Sequence, residues 1–115
     1  MRLPNAAHLV VEKEKIVDYL LSPVHRYGAS KARFFMQLGF RSEHWEVFAA
    51  ALREHGRRHD VFRTRQTGFG PRFEVEGVLG APDGRQPRVM TVWQLDEGES
   101  APRLITAYPL EANHD

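Results

Sequence analysis

The segment HRYGASKAR, from His25 to Arg33, combines residue types that can hold an anion. Its glycine-containing loop runs into the predicted start of a helix, where free backbone N–H groups and the helix dipole favour negative charge. Lys31 and Arg33 fall in the first helical turn, where positive charge opposes the dipole. Two explanations follow: these side chains hold a phosphate or a carboxylate partner, or they face water or pair with an acid elsewhere in the chain.

A second group of polar residues lies in the strand predicted over Arg103 to Leu110. Thr106 and Tyr108 share one face of this otherwise apolar strand, and Thr91 and Trp93 are expected on its neighbour. Buried hydroxyl groups need hydrogen-bond partners. The group is therefore either a row of hydroxyl donors lining a cleft between sheet and helices, or a satisfied sheet core with a half-exposed tyrosine.

The histidines offer a weaker signal for a site. Of the six in the chain, His55 and His59 have the i,i+4 spacing of metal ligands, at the C-terminal end of a predicted helix. We interpret them as a solvated pair that complements the helix dipole. The sequence contains no Walker loop, no dinucleotide-binding GxGxxG fingerprint, no HExxH and no GxSxG motif. No cofactor and no metal are predicted.

Three helices followed by four strands are predicted to position these residues. Helical periodicity predicts a first helix from Lys13 to Leu21. A second helix is capped by Ser30 and ends at Gly39, and a third runs from a cap at Ser42 to about Arg57. Alternating patterns predict strands over Asp60 to Gln66 and Arg72 to Leu79, and largely apolar runs predict strands over Arg88 to Leu95 and Arg103 to Leu110. In the second strand Phe73 and Val75 face inward, and Glu74 and Glu76 face outward. Short connections favour an α+β fold in which about three N-terminal helices pack on a four-stranded antiparallel meander sheet.

Composition indicates a small soluble protein, with residues 1–115 as a single domain. The absence of cysteine excludes disulfides and thiolate chemistry. Because no apolar run approaches the roughly 20 residues of a membrane span, we expect a cytoplasmic protein without membrane contact.

The net charge of +1 argues against a strongly basic nucleic-acid binder, but the charge is unevenly distributed. Six arginines against two acids give +4 between Ala51 and Arg72, and five acids against one arginine give −4 between Asp96 and Asp115. In one interpretation, the two segments lie next to each other or simply face water. In the other, the basic segment forms a local anion-binding surface.

Several segments together resemble a bacterial domain family of unknown function. The resemblance begins with IVDYLLSPVHRYGASKARFF, in which a leucine–tyrosine helix leads to an N/S-P-x-H loop and a G-x-x-K-A-R-x-F helix. It continues through RFEVEG, APDGR and TVW to PRLITAYP, and so extends from about Leu3 to Pro109. Members resemble toxin tail domains of large secreted bacterial proteins. Their order of helices and strands is similar to the metal-independent ribonuclease fold of barnase, EndoU, colicin-type tRNases and RelE.

The resemblance implies cleavage of an RNA phosphodiester by its own 2′-hydroxyl group, without a metal. It implies His25 as base or acid, Lys31 and Arg33 as electrostatic stabilisers, and Thr106 and Tyr108 as hydrogen-bond donors. RNA and a cognate antitoxin, or another protein, would be the partners. The alternatives are a non-catalytic binding module on the same fold and a small-molecule enzyme or binder using the helix–sheet cleft. The oligomeric state stays open.

Overall fold

Three helical regions precede four β-strands in the computed structural model, which describes residues 1–110. Helix α1 consists of an α-helical turn, Lys13–Lys15, and a π-helical continuation, Ile16–Leu20; α2 spans Ala29–Gln37 and α3 spans Trp45–Arg58. Short 3-10 turns over Ala6–His8 and Ser42–His44 precede α1 and α3. The strands are β1, Val61–Thr67; β2, Gly70–Val78; β3, Arg88–Gln94; and β4, Arg103–Pro109. The predicted α+β class, with helices before strands, is confirmed.

The strands form one antiparallel sheet in the order β1-β2-β3-β4, which confirms the predicted meander. The connection between β2 and β3 uses Gly84 at a φ of 89°, as its Asp-Gly pair predicts. The β4 edge is covered by the N-terminal segment, where Val10 bridges to Arg103, and by α1 and α2. The opposite edge, β1, pairs with no further strand among residues 1–110.

Helix α2 ends as the sequence predicts but begins earlier. Gly39, at a φ of 101°, follows the helix as the left-handed stop. The prediction that Ser30 caps the helix is wrong, because Ala29 is already helical and no side chain caps this end. The N–H of Ala32, which a capping Ser30 side chain would bind, donates instead to the carbonyl of Gly28 at 2.8 Å.

The hydrophobic core lies between α3 and one face of the sheet. A 3-10 turn begins at Ser42 and α3 begins at Trp45, so the predicted serine cap is wrong here too. The predicted apolar face of α3 is confirmed: Phe48 and Leu52 are fully buried, and Trp45 packs against the core. They meet the fully buried Trp93 and other residues of that sheet face. Each such burial contributes about 1.5–3 kcal/mol, which fixes α3 on the sheet.

The two faces of the sheet carry different side chains, since paired residues of neighbouring strands project to the same side. We call the face opposite α3 the polar face. Its members are Arg63 and Arg65 of β1, Arg72, Glu74 and Glu76 of β2, Arg88, Met90, Val92 and Gln94 of β3, and Arg103, Thr106 and Tyr108 of β4. Thr91 and Trp93 lie on the other face, under α3. The interpretation of a single hydroxyl row in a helix–sheet cleft is therefore wrong.

The basic and acidic segments of the sequence meet at one end of the sheet. The Glu97 N–H donates to the Phe69 carbonyl at 2.8 Å, which joins the β3–β4 connection to the β1–β2 turn. Two acids of the acidic run, Glu111 and Asp115, lie outside the described residues. No helix among residues 1–110 combines the length and the apolar character needed to cross a membrane.

Candidate functional site

A hydrogen bond between two hydroxyl groups forms the centre of the candidate site. The phenol oxygen of Tyr19 lies 2.9 Å from the hydroxyl oxygen of Thr106, and either group can donate. Tyr19 belongs to α1, where Ile16 and Leu20 are fully buried and hold the helix against the core. Thr106 lies on the polar face of β4, which is an edge strand of the sheet. The Tyr19 phenol therefore contacts the polar face at this edge of the sheet. Together the two hydroxyls can donate to, or accept from, a bound ligand.

Two lysine ammonium groups flank the Tyr19 ring. The Lys15 Nζ lies 5.4 Å from the ring centroid and the Lys31 Nζ lies 5.5 Å from it, within the range of cation–π attraction. Lys31 also donates to the carbonyl of Tyr27 at 3.2 Å. Neither lysine forms an ion pair with another described residue. The centre of the site therefore carries two positive charges that no carboxylate neutralises directly.

His25 faces the same tyrosine from the loop between α1 and α2. Its ring meets the Tyr19 ring edge-on, with centroids 4.8 Å apart. Its Nδ1 accepts the backbone N–H groups of Tyr27 at 3.0 Å and Gly28 at 3.1 Å. In the neutral imidazole the proton must then lie on Nε2, so the ring presents a donor to a ligand.

The loop that carries His25 is pressed against α1 at Gly28. A Cβ atom at this position would overlap the carbonyl oxygen of Tyr19 and crowd its ring. The sequence predicts free backbone N–H groups that favour an anion where this glycine-containing loop runs into the helix. Instead, the N–H of Gly28 is bound to the His25 ring and to the carbonyl of His25, and the residue is needed for close packing.

The structure brings together three of the five predicted site residues: His25, Lys31 and Thr106. Arg33 lies two residues beyond Lys31 along α2, which turns it to a different side of the helix, and its side chain is exposed. Tyr108 follows Thr106 on the same face of β4, opposite Met90 of β3, and is partly buried. It therefore lies beside the centre of the site and not within it.

Tyr19 and Lys15 complete the site, and neither is among the residues predicted from the sequence. The contact between Tyr19 and Thr106 spans 87 positions of the chain, so no local pattern reveals it. The available signal was the i,i+4 spacing of Lys15 and Tyr19, which places them on one side of α1.

Sequence comparison provides a family for this architecture. The model of DUF6883, a domain of unknown function, matches residues 2–111. The chain belongs to the DUF6883 family. None of the curated proteins matches its sequence significantly. The predicted membership in a family of unknown function is therefore confirmed.

A solved structure has the same fold as this DUF6883 domain at low sequence identity. A chain of the contact-dependent growth inhibition toxin–immunity protein complex from Klebsiella pneumoniae 342 superimposes with a TM-score of 0.72 and 18% identity. The match covers 93% of the DUF6883 chain and 97% of that chain. At this identity the similarity establishes a shared fold.

The polar face of the DUF6883 domain extends from Thr106 on β4 across the sheet to β1. It carries five arginines, each held by an acceptor on or beside the sheet. Arg63 and Arg65 bind Glu74 at 3.1 and 3.3 Å, Arg72 binds Gln94 at 3.0 Å, Arg88 binds Glu76, and Arg103 binds Asp96 at 2.6 Å. Five arginines against the three carboxylates leave a local charge of +2.

Glu74 departs from its predicted environment. It projects from the outward face of β2, as the alternation predicts, but only 4% of its surface is exposed. The side chains of Arg63 and Arg65 converge on its carboxylate and cover it. The two arginine side chains are themselves more than half exposed, so they can contact a further anion while bound to Glu74.

The predicted solvated histidine pair is wrong for His55, which is only 2% exposed. Its Nε2–H donates to the carbonyls of Gly77 at 3.1 Å and Val89 at 2.9 Å. On its other side, the Trp93 indole N–H donates to the Thr91 hydroxyl at 2.8 Å, and that hydroxyl donates to His55 Nδ1 at 3.0 Å. Burial lowers the pKa of His55 to about 4. His55 is therefore a neutral core residue that ties α3 to the sheet.

A cavity lies beside this core histidine and apart from the Tyr19–Thr106 pair. It has a volume of about 480 Å³ and is lined at the end of α3 by Glu54, Arg58 and His59, among others. His59 Nδ1–H donates to the carbonyl of His55 at 2.9 Å. Glu54 is already bound by arginines of its own helix. No group of three or more His, Asp or Glu side chains within residues 1–110 is arranged as a metal site.

Proposed function

We propose that this DUF6883 domain is a toxin-type ribonuclease that cleaves RNA without a metal ion. The observation that carries the proposal is the hydroxyl pair of Tyr19 and Thr106, flanked by the ammonium groups of Lys15 and Lys31. Donors and cations in this arrangement match the charge that develops on a phosphorane during phosphodiester cleavage.

The reaction requires one bond to form and one to break at phosphorus. The 2′-oxygen of the substrate attacks, and the bond to the 5′-oxygen breaks, giving a 2′,3′-cyclic phosphate and a 5′-hydroxyl end. The proton of the attacking hydroxyl passes through the Thr106–Tyr19 pair to solvent. The ammonium group of Lys31 gives a proton to the departing oxygen, and Lys15 stabilises the negative charge.

His25 takes a narrower role in this proposal than the family resemblance implies. Since its Nδ1 is occupied by two backbone N–H groups, the neutral ring offers Nε2–H to a phosphate oxygen. We therefore assign it as a donor that binds the phosphate, not as the base. Arg33 is assigned no role, and Tyr108 is assigned to binding beside Thr106.

The surrounding charge supports RNA as the substrate. The exposed side chains of Arg63 and Arg65 lie on the same sheet face as Thr106, where they can bind a polyanionic backbone. RNA as substrate implies action in the cytoplasm. The shared fold with a chain of a toxin–immunity protein complex supports a cognate antitoxin-type protein as the second partner.

Incubation with total RNA in EDTA tests the proposal. We expect fragments ending in 2′,3′-cyclic phosphate, with cleavage reduced at least 10-fold in Thr106→Val and in Lys31→Ala. Lys13→Ala is the matched control, because this lysine lies on α1 over the Trp45 ring and away from Tyr19. Intact RNA with folded wild-type protein, or equal activity in all variants, would refute the assignment.

The alternative, a non-catalytic binding module, is favoured by a different feature. The edge strand β1, which pairs with no further strand within residues 1–110, and its turn carry Phe62 and Phe69, which are 62% and 74% exposed. Exposed aromatic side chains on an edge strand are suited to protein contact. This function predicts a stable protein complex that Phe62→Ala weakens. It also predicts that RNA incubated with the wild-type protein stays intact.

A further inference from the structure

Tyr27 is the exposed aromatic residue of the loop that builds the candidate site. It keeps 68% of its surface exposed, although its backbone is hydrogen-bonded to the His25 ring. Its ring centroid is 6.2 Å from that of His25, which in turn is 4.8 Å from that of Tyr19. The three rings thus lead outward from the Tyr19–Thr106 pair to solvent.

The backbone of Tyr27 is held by the same side chains that form the site. Its N–H donates to His25 Nδ1 at 3.0 Å, and its carbonyl accepts from Lys31 Nζ at 3.2 Å. The next residue, Gly28, is packed against Tyr19. The main chain is therefore ordered on both sides of the residue. An ordered backbone that presents an outward ring loses little entropy when a ligand covers that ring.

The surroundings of the ring are cationic. The guanidinium carbon of Arg26 lies 5.4 Å from the Tyr27 centroid. The segment from Tyr19 to Phe34 contains Arg26, Lys31 and Arg33 and no acid. A flat ring beside a guanidinium group suits a ligand that is planar and attached to negative charge, as a nucleotide is.

We infer that Tyr27 and Arg26 form a stacking platform for an unpaired nucleobase adjoining the phosphate bound by His25. The inference rests on the proposed function and specifies its substrate class. A base inside a duplex is stacked on its neighbours and cannot cover the ring, so the domain selects single-stranded or unpaired RNA.

Binding of uncleavable probes tests the platform separately from catalysis. The probes are a fluorescent 2′-O-methyl single strand of about eight nucleotides, its duplex, and a strand of equal length lacking bases. We expect Tyr27→Ala to raise the Kd for the single strand about 5- to 10-fold and to change the other two less than about 2-fold. Tyr27→Phe retains the ring and should bind as wild type. Phe69→Ala is the matched control, an equally exposed aromatic on the β1–β2 turn.

Each result bears on the inference directly. An unchanged Kd for the single strand in Tyr27→Ala, or equal weakening for all three probes, would overturn it. Wild-type protein that binds no probe would overturn both the platform and the proposed function, and would leave the loop as a protein-binding surface. Selective weakening by Tyr27→Ala in a protein that leaves RNA intact would support the platform and reject the cleavage.

Discussion

Acidification should destabilise this domain through His55, well above the pH at which carboxylates titrate. His55 is neutral and fully hydrogen-bonded in the fold, and burial lowers its pKa to about 4 from an ordinary value of 6.5. At a pH between these two values, His55 is protonated in the unfolded chain and neutral in the folded chain. Stability is therefore complete above pH 6.5 and falls as the pH approaches 4.

The size of the effect follows from the same two values. The pKa of His55 differs by the interval from 6.5 to about 4 between the unfolded and folded chain. At about 1.4 kcal/mol per pH unit, this difference lowers the free energy of unfolding by about 3 kcal/mol once His55 is protonated in both states. Integration between pH 7 and pH 5 gives a loss of about 2 kcal/mol in the free energy of unfolding. The carboxyl groups with lowered pKa, those of Glu54, Asp83 and Asp96, have ordinary values of 4.5 and 3.8 and contribute mainly below this window.

Urea unfolding followed by tryptophan fluorescence measures this loss, since Trp93 is fully buried and reports on the core. We expect His55→Gln to be less stable at both pH values and to lose less than about 0.5 kcal/mol between them. His59→Gln is the control and should retain most of the pH dependence of the wild type. A wild-type loss below about 0.5 kcal/mol, or an undiminished loss in His55→Gln, would refute the account of His55 as a neutral core residue.

Two further substitutions test the packing and the charge of the site. Gly28→Ala should lower the free energy of unfolding by about 1–3 kcal/mol, because the added methyl overlaps the Tyr19 carbonyl. Gly80→Ala is the control, because its added methyl meets no atom within 4 Å. It should change the free energy of unfolding by less than about 0.5 kcal/mol in the same urea titration. Equal effects of the two substitutions would contradict the packing argument. Glu74→Gln removes the carboxylate that holds two arginines, so binding of a single-stranded oligonucleotide should tighten about 2- to 5-fold at low salt, as measured by fluorescence anisotropy. Unchanged affinity would exclude the polar face from the binding surface.

Local patterns determined the secondary structure of this protein. The helical stripe of Phe48 and Leu52 and the alternation around Phe73 are properties of consecutive residues, so the order of helices and strands could be read from them. Gly39 and Gly84 marked a helix end and a hairpin because their positive φ angles are local requirements. Short connections then left the antiparallel meander as the natural pairing.

Part of the candidate site was also readable in the sequence. His25, Lys31 and Thr106 stood out as polar residues at a helix start and on an apolar strand, and the structure places all three around one tyrosine. The role of that tyrosine was not readable, because its partner Thr106 is distant in the chain.

Tertiary structure alone decided which face and which environment each polar residue occupies. The irregularity in the pairing of β3 and β4, between Val92 and Trp93, sets the register, and register determines whether Thr106 shares a face with Thr91. Burial of His55 depends on carbonyls from two strands, and burial of Glu74 depends on arginines from a third. Sequence spacing describes neighbours along the chain, whereas these environments arise from groups that meet only after the sheet has formed.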